Sequence, residues 1–81
     1  MRYNRNADLT RLLALWPREL DTDLISRTRM VARLEAAVRV ERQRARDGHW
    51  LYSPARLVGL LHCLRCERHE LAAKWNADHC L

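Results

Sequence analysis

Two groups of residues in this chain have types and spacings that could do chemistry. The first is an arginine run, Arg39, Arg42, Arg44 and Arg46, followed by His49, Trp50 and Arg56. Guanidinium groups set close together bind phosphate, and an aromatic among them offers a face on which a base can stack. The run therefore suits contact with nucleic acid. A simpler account is that cations near a helix C-terminus offset the helix dipole, by about 0.3–1 kcal/mol each. Trp50 and Tyr52 divide the same way: they could stack on a base or anchor a partner, but aromatics at a turn more often cover the end of a core, and that is the expectation for both.

The second group is His62, Cys63, Cys66 and His69, with His79 and Cys80 near the C-terminus. His62, Cys66 and His69 fall at i, i+4 and i+7 on one helix face, and zinc accepts these ligand types. A zinc site draws on two separated elements, however, and Cys-x-x-Cys followed by His within one helix lacks the second pair. No metal and no cofactor are expected, and the cysteines are read as filling small gaps. Ser26 and Ser53 are the only serines, and neither sits in a nucleophile turn or triad pattern. With no phosphate-cradling Gly-rich loop, paired-carboxylate motif or dinucleotide fingerprint, the chain is expected not to be an enzyme.

The elements that position these groups are helices. Gly48-His49-Trp50-Leu51-Tyr52-Ser53-Pro54 separates two long segments of helical periodicity. Gly48 can take the left-handed conformation that closes one helix, and Ser53 with Pro54 can open the next. The expected fold is all-α, a single helical domain over residues 1–81: a short N-terminal helix plus a long antiparallel helical hairpin. A polar arm covers 1–6 and helix 1 covers 7–16, capped by Asn6 or Asp8, stopped by Pro17 and giving Leu13 and Trp16 to the core. Helix 2 covers 22–47 behind Asp21-Thr22-Asp23, helix 3 covers 54–76, and a frayed tail covers 77–81.

Helix 2 carries two apolar stripes. Leu24, Met30, Val31, Leu34, Ala37 and Val38 form the main one, and Ile25, Ala32, Ala36 and Val40 lie roughly opposite. Two stripes imply two neighbours. One is helix 3; the other is helix 1 or another subunit, and the small residues of the second stripe favour a subunit contact. Leu57, Leu60, Leu61, Leu64, Leu71 and Trp75 share one face of helix 3. Gly59 inside that helix implies a close approach, with Ala45 across the hairpin as the expected neighbour.

Composition narrows the function classes. The 81 residues carry a formal charge of +5, with fourteen arginines among fifteen basic residues. Such a surface favours nucleic acid, acidic proteins or anionic membranes, although GC-rich coding alone can enrich arginine. No apolar run reaches the roughly 18–20 residues of a membrane span. The run Leu12 to Trp16 is too short for a secretory h-region, so a cytoplasmic location is expected. Three cysteines without secretory context argue for reduced thiols.

The segment Arg27-Thr28-Arg29-Met30-Val31-Ala32-Arg33-Leu34-Glu35-Ala36-Ala37, with Gly48 to Tyr52 and Ala55-Arg56 downstream, resembles short helical proteins of photosynthetic alphaproteobacteria. Among them it resembles the small terminase subunit of gene transfer agents, which are phage-like particles. That resemblance implies a homo-oligomeric, often ring-shaped, DNA-packaging adaptor that binds DNA and recruits a large terminase carrying the ATPase and nuclease. On this reading Arg39, Arg42, Arg44, Arg46 and Arg56 contact DNA, and Ile25, Ala32, Ala36 and Val40 form the oligomer interface. One departure from the family matters. Many small terminases carry an N-terminal helix-turn-helix, and a helix of over twenty residues following helix 1 leaves no such module here, so DNA binding is expected to be weak and sequence-independent. The alternative is a helical protein-interaction adaptor or regulator that docks an apolar face on a partner and has no nucleic-acid role.

Overall fold

A computed structural model describes residues 2–79. The described chain is all-helical, with α1 over Arg5–Leu12, a short 3-10 turn over Pro17–Leu20, α2 over Leu24–Asp47 and α3 over Pro54–His79. α2 and α3 form the antiparallel hairpin and α1 packs on α3. The molecule is a rod of 49 × 23 × 23 Å. The hairpin tip is thus one end of the rod.

Local chemistry sets each boundary. Asp23 caps α2 by accepting the Ser26 N–H at 3.3 Å, so the helical run begins at Leu24, and 22 and 23 of the expected segment lead into it. Those hydrogen bonds from Ser26 hold the Asp23 carboxyl below its ordinary range. Gly48 ends α2 at φ 62°, with His49 N–H donating to the Arg44 carbonyl at 2.9 Å and Gly48 N–H to that of Ala45 at 3.3 Å. Ser53 Oγ accepts the Arg56 N–H at 3.1 Å and Pro54 opens α3. α3 continues three residues past the expected end at 76. Of the expected tail, 80 and 81 lie outside the described residues.

The N-terminal helix corrects the sequence reading. Asn4 is the cap, not Asn6 or Asp8: its Oδ1 accepts the Ala7 N–H at 3.1 Å, and Asp8 Oδ2 accepts the Asn4 N–H at 3.0 Å. The helix ends at Leu12, well before Pro17, because Leu13 is already extended and the chain must return along α2. Trp16 is 71% exposed and stays out of the core. Leu9 and Leu12 are buried in its place, with Leu13 packed at the margin.

Met30, Val31, Leu34 and Val38 of α2 meet Leu60, Cys63 and Leu64 of α3 in the core. Each fully buried leucine contributes about 1.5–3 kcal/mol. Leu24 and Ala37 are half-buried, and Trp75, at the far end of the leucine face of α3, is 52% exposed. Gly59 does mark a close approach, but to α1. A Cβ there would stand 3.3 Å from Leu12 Cδ1, whereas Ala45 is exposed.

Two glutamates lie in this core at 1% exposure, Glu41 on α2 and Glu67 on α3. Glu67 accepts the Tyr3 hydroxyl at 2.9 Å and Arg5 Nε at 3.0 Å. Arg5 also donates to the carbonyls of Leu20 and Asp21, so one guanidinium ties the N-terminal arm, the returning strap and α3 together. Burial, then the neighbouring Glu67 carboxylate, push the Tyr3 hydroxyl well above its ordinary value, so it stays a donor. Removing Arg5 strands a buried charge, and Arg5→Met is expected to cost about 3–5 kcal/mol. Combining Tyr3→Phe, Arg5→Met and Glu67→Leu should recover most of that loss, read as a denaturant midpoint at unchanged slope. A triple variant no more stable than Arg5→Met would show that the cluster is not the source of the loss.

Candidate nucleic-acid interface

The five arginines of the sequence-derived DNA set divide into two kinds. Arg39, Arg42 and Arg46 are exposed and, at i, i+3 and i+7, project from one face of α2 around a shallow depression that includes Val40 and Gln43. None of the three pairs with a carboxylate among the described residues. Arg46 donates to Gln43 Oε1 at 2.6 Å, and Gln43 in turn donates to Asp47 at 2.9 Å, which fixes the last turn.

Arg44 and Arg56 are half-buried and turn inward to Glu41, at 2.9 Å and 3.2 Å from its Oε1. Glu41 Oε2 accepts the Ser53 N–H at 3.3 Å, and Arg56 also donates to the Leu12 carbonyl at the end of α1. The buried carboxylate therefore holds α2, the turn, α3 and α1 at one point. Sequence reasoning missed it. The available signal was phase: Glu41 follows Leu34 by seven residues and Val38 by three, which puts it on the buried stripe.

The turn presents its aromatics differently from the expectation. Trp50 is 84% exposed and covers no core; Tyr52 is the half-buried one. The His49 and Trp50 rings stack with centroids 5.9 Å apart and planes 17° apart. His49 Nδ1 accepts the Leu51 N–H at 3.0 Å, which sets the ring's orientation and, when it is neutral, leaves its proton on Nε2. The Tyr52 N–H closes the turn on the His49 carbonyl at 2.9 Å.

Ile25, Ala32, Ala36 and Val40 are all exposed, Ile25 at 63% and Val40 at 49%. Since α1 lies on α3, it does not cover this stripe. At the stripe's N-terminal end, Ile25 and Trp16 line a groove of about 670 Å³ with Met30, Glu19 and Arg33.

The histidines and cysteines do not converge. His62 packs edge-on against Tyr3, with centroids 5.9 Å apart, and lies 3.9 Å from Cys66 Sγ. Burial pushes the Cys63 thiol up to about 11. Among the described residues no three metal-binding side chains gather. The His79 side chain and Cys80 lie outside the described residues. No helix among them is long and apolar enough to cross a membrane.

Comparison with protein-family models, curated proteins and solved structures finds no match to this chain.

Glu41→Gln keeps an acceptor for Ser53 but removes the charge that Arg44 and Arg56 face. Both arginines retain access to water, so a loss of about 1–3 kcal/mol is expected. Amide exchange at Ser53 should accelerate more than at Leu34, measured at a pH where the variant stays folded. Equal acceleration at both amides would mean that Glu41 does not hold the tip locally.

Proposed function

We propose that this protein is a non-enzymatic DNA-packaging adaptor of the small-terminase type, which binds DNA weakly and recruits a large terminase. One observation carries the DNA-binding part: Arg39, Arg42 and Arg46 share an exposed face without carboxylate partners among the described residues, while Arg44 and Arg56 are held by Glu41. The helical rise spreads the three charges over about 10 Å of axis. That spacing allows contact with successive phosphates of one strand. Without a recognition helix, contact is to the backbone, and sequence is not read. The packaging role and the large-terminase partner rest on the resemblance of residues 27–56 to small terminases.

The exposed stripe Ile25, Ala32, Ala36 and Val40 supports self-association, with the alanines permitting close helix approach. The second reading, a protein-interaction adaptor without a nucleic-acid role, is favoured by the Trp16–Ile25 groove, where two large apolar side chains lie open beside charged ones.

Replacing Arg39, Arg42 and Arg46 with Ala is expected to weaken duplex DNA binding in low salt. The slope of log affinity against log salt should become shallower by about 2–3, near one for each phosphate no longer neutralised. Unchanged affinity and slope would transfer support to the protein-interaction reading.

Light scattering across a concentration series tests self-association separately. A discrete assembly that Ala32→Glu with Ala36→Glu dissociates would identify the stripe as the interface. Exposed helical positions tolerate such changes within about 0.5 kcal/mol of stability, so the variant should remain folded. A wild-type monomer at every concentration would remove the ring adaptor.

A further inference from the structure

We infer that the hairpin tip is a stacking platform for an unpaired base, so that the preferred ligand of the basic end is single-stranded nucleic acid. This rests on the DNA-binding part of the reading above, independently of the packaging role, and names the form of nucleic acid that the tip itself selects.

Three features converge on Trp50. The ring is 84% exposed, although burying an indole would ordinarily gain more than any other side chain at this turn. It is also braced: His49 stacks on it, and Leu51 N–H holds the His49 ring through Nδ1. The backbone beneath is fixed by the left-handed Gly48, by the His49 N–H bond to the Arg44 carbonyl and by the Tyr52 N–H bond to the His49 carbonyl. A platform set in advance loses little conformational freedom when a base arrives.

Charge selects the occupant. From Arg39 to Arg56 the only carboxylates are Glu41, buried against Arg44 and Arg56, and Asp47, which accepts from Gln43. Arg42 and Arg46 lie in the last two turns of α2, and Trp50 follows Arg46 by four positions. The Cα atoms of Arg46 and Trp50 are thus within about 14 Å even for an extended chain. A cationic track that ends in an open aromatic face is the combination that single-strand binding uses: arginines follow the phosphates and the ring takes a base. Paired bases in a duplex offer no free face to such a ring, except at an end.

The test compares binding of labelled oligo(dT) and of a closed-hairpin DNA duplex by wild type, Trp50→Ala, Trp50→Phe and the Arg39, Arg42, Arg46 triple alanine variant, at fixed low salt. Circular dichroism confirms folding, which replacing an exposed side chain should not disturb. Trp50→Ala is expected to lower oligo(dT) affinity about five-fold or more and leave the duplex unchanged, with Trp50→Phe in between. A protein carrying Trp16→Phe and Trp75→Phe should show its remaining fluorescence, that of Trp50, quenched by oligo(dT). Equal oligo(dT) affinity for wild type and Trp50→Ala overturns the platform. If the arginine variant still loses both ligands in that case, the nucleic-acid reading survives. Wild type that binds neither DNA overturns both, and a Trp50 that then anchors a purified protein partner would belong to the adaptor reading.

Discussion

The rest of the structure depends on two carboxylates held inside it by arginine. A charged group in a core of leucine, valine and methionine is tolerated only when donors surround it, and here each glutamate draws those donors from several segments of chain. Glu67 gathers Tyr3 and Arg5, and Arg5 reaches on to Leu20 and Asp21. Glu41 gathers Arg44, Ser53 and Arg56, and Arg56 reaches on to Leu12. Apolar packing alone would let an eight-residue α1 slide along α3, since a helix this short is marginal by itself. The carboxylates admit one arrangement in which all donors are satisfied.

This interior arrangement shapes the exterior. Two arginines are drawn inward at the tip, which leaves the stripe of Arg39, Arg42 and Arg46 to set the outward field on the last turns of α2. The same clamp, with Gly48 and Ser53, closes the turn through backbone and carboxylate bonds. An aromatic lid is then unnecessary, and the large ring at the turn can face water.

Much of the hairpin is legible in the sequence because its signals are local. Gly48, Ser53 and Pro54 act through the conformations available to their own backbones, and the Met30–Val38 stripe acts through helical phase. The errors share a cause. Hydrophobicity alone places Trp16, Trp50 and Trp75 against the interior, yet the core is filled by leucine, valine, methionine and cysteine, and all three indoles stay largely exposed. The start and end of α1 are displaced because Asn6, Asp8 and Asn4 are all competent caps, and only docking against α3 decides among them. Glu41 and Glu67 escape a reading that weighs residue type above phase. Of the candidate DNA residues, spacing identifies the stripe, but which arginines face inward depends on partners as far as forty-four residues away, as for Arg56 and Leu12.

The close fit of Arg5 and Arg56 has a consequence for what the chain can tolerate. Each uses a flat, forked group to meet a carboxylate and a carbonyl in different directions, and a lysine ammonium, a compact point charge, does not reproduce that geometry. Outside, at Arg39, Arg42 and Arg46, the proposed phosphate contact asks only for a positive charge at a given height on a helix, which lysine meets as well. Drift between the two basic residues is therefore open on the surface and closed in the interior, so one residue type answers to shape in one place and to charge in the other.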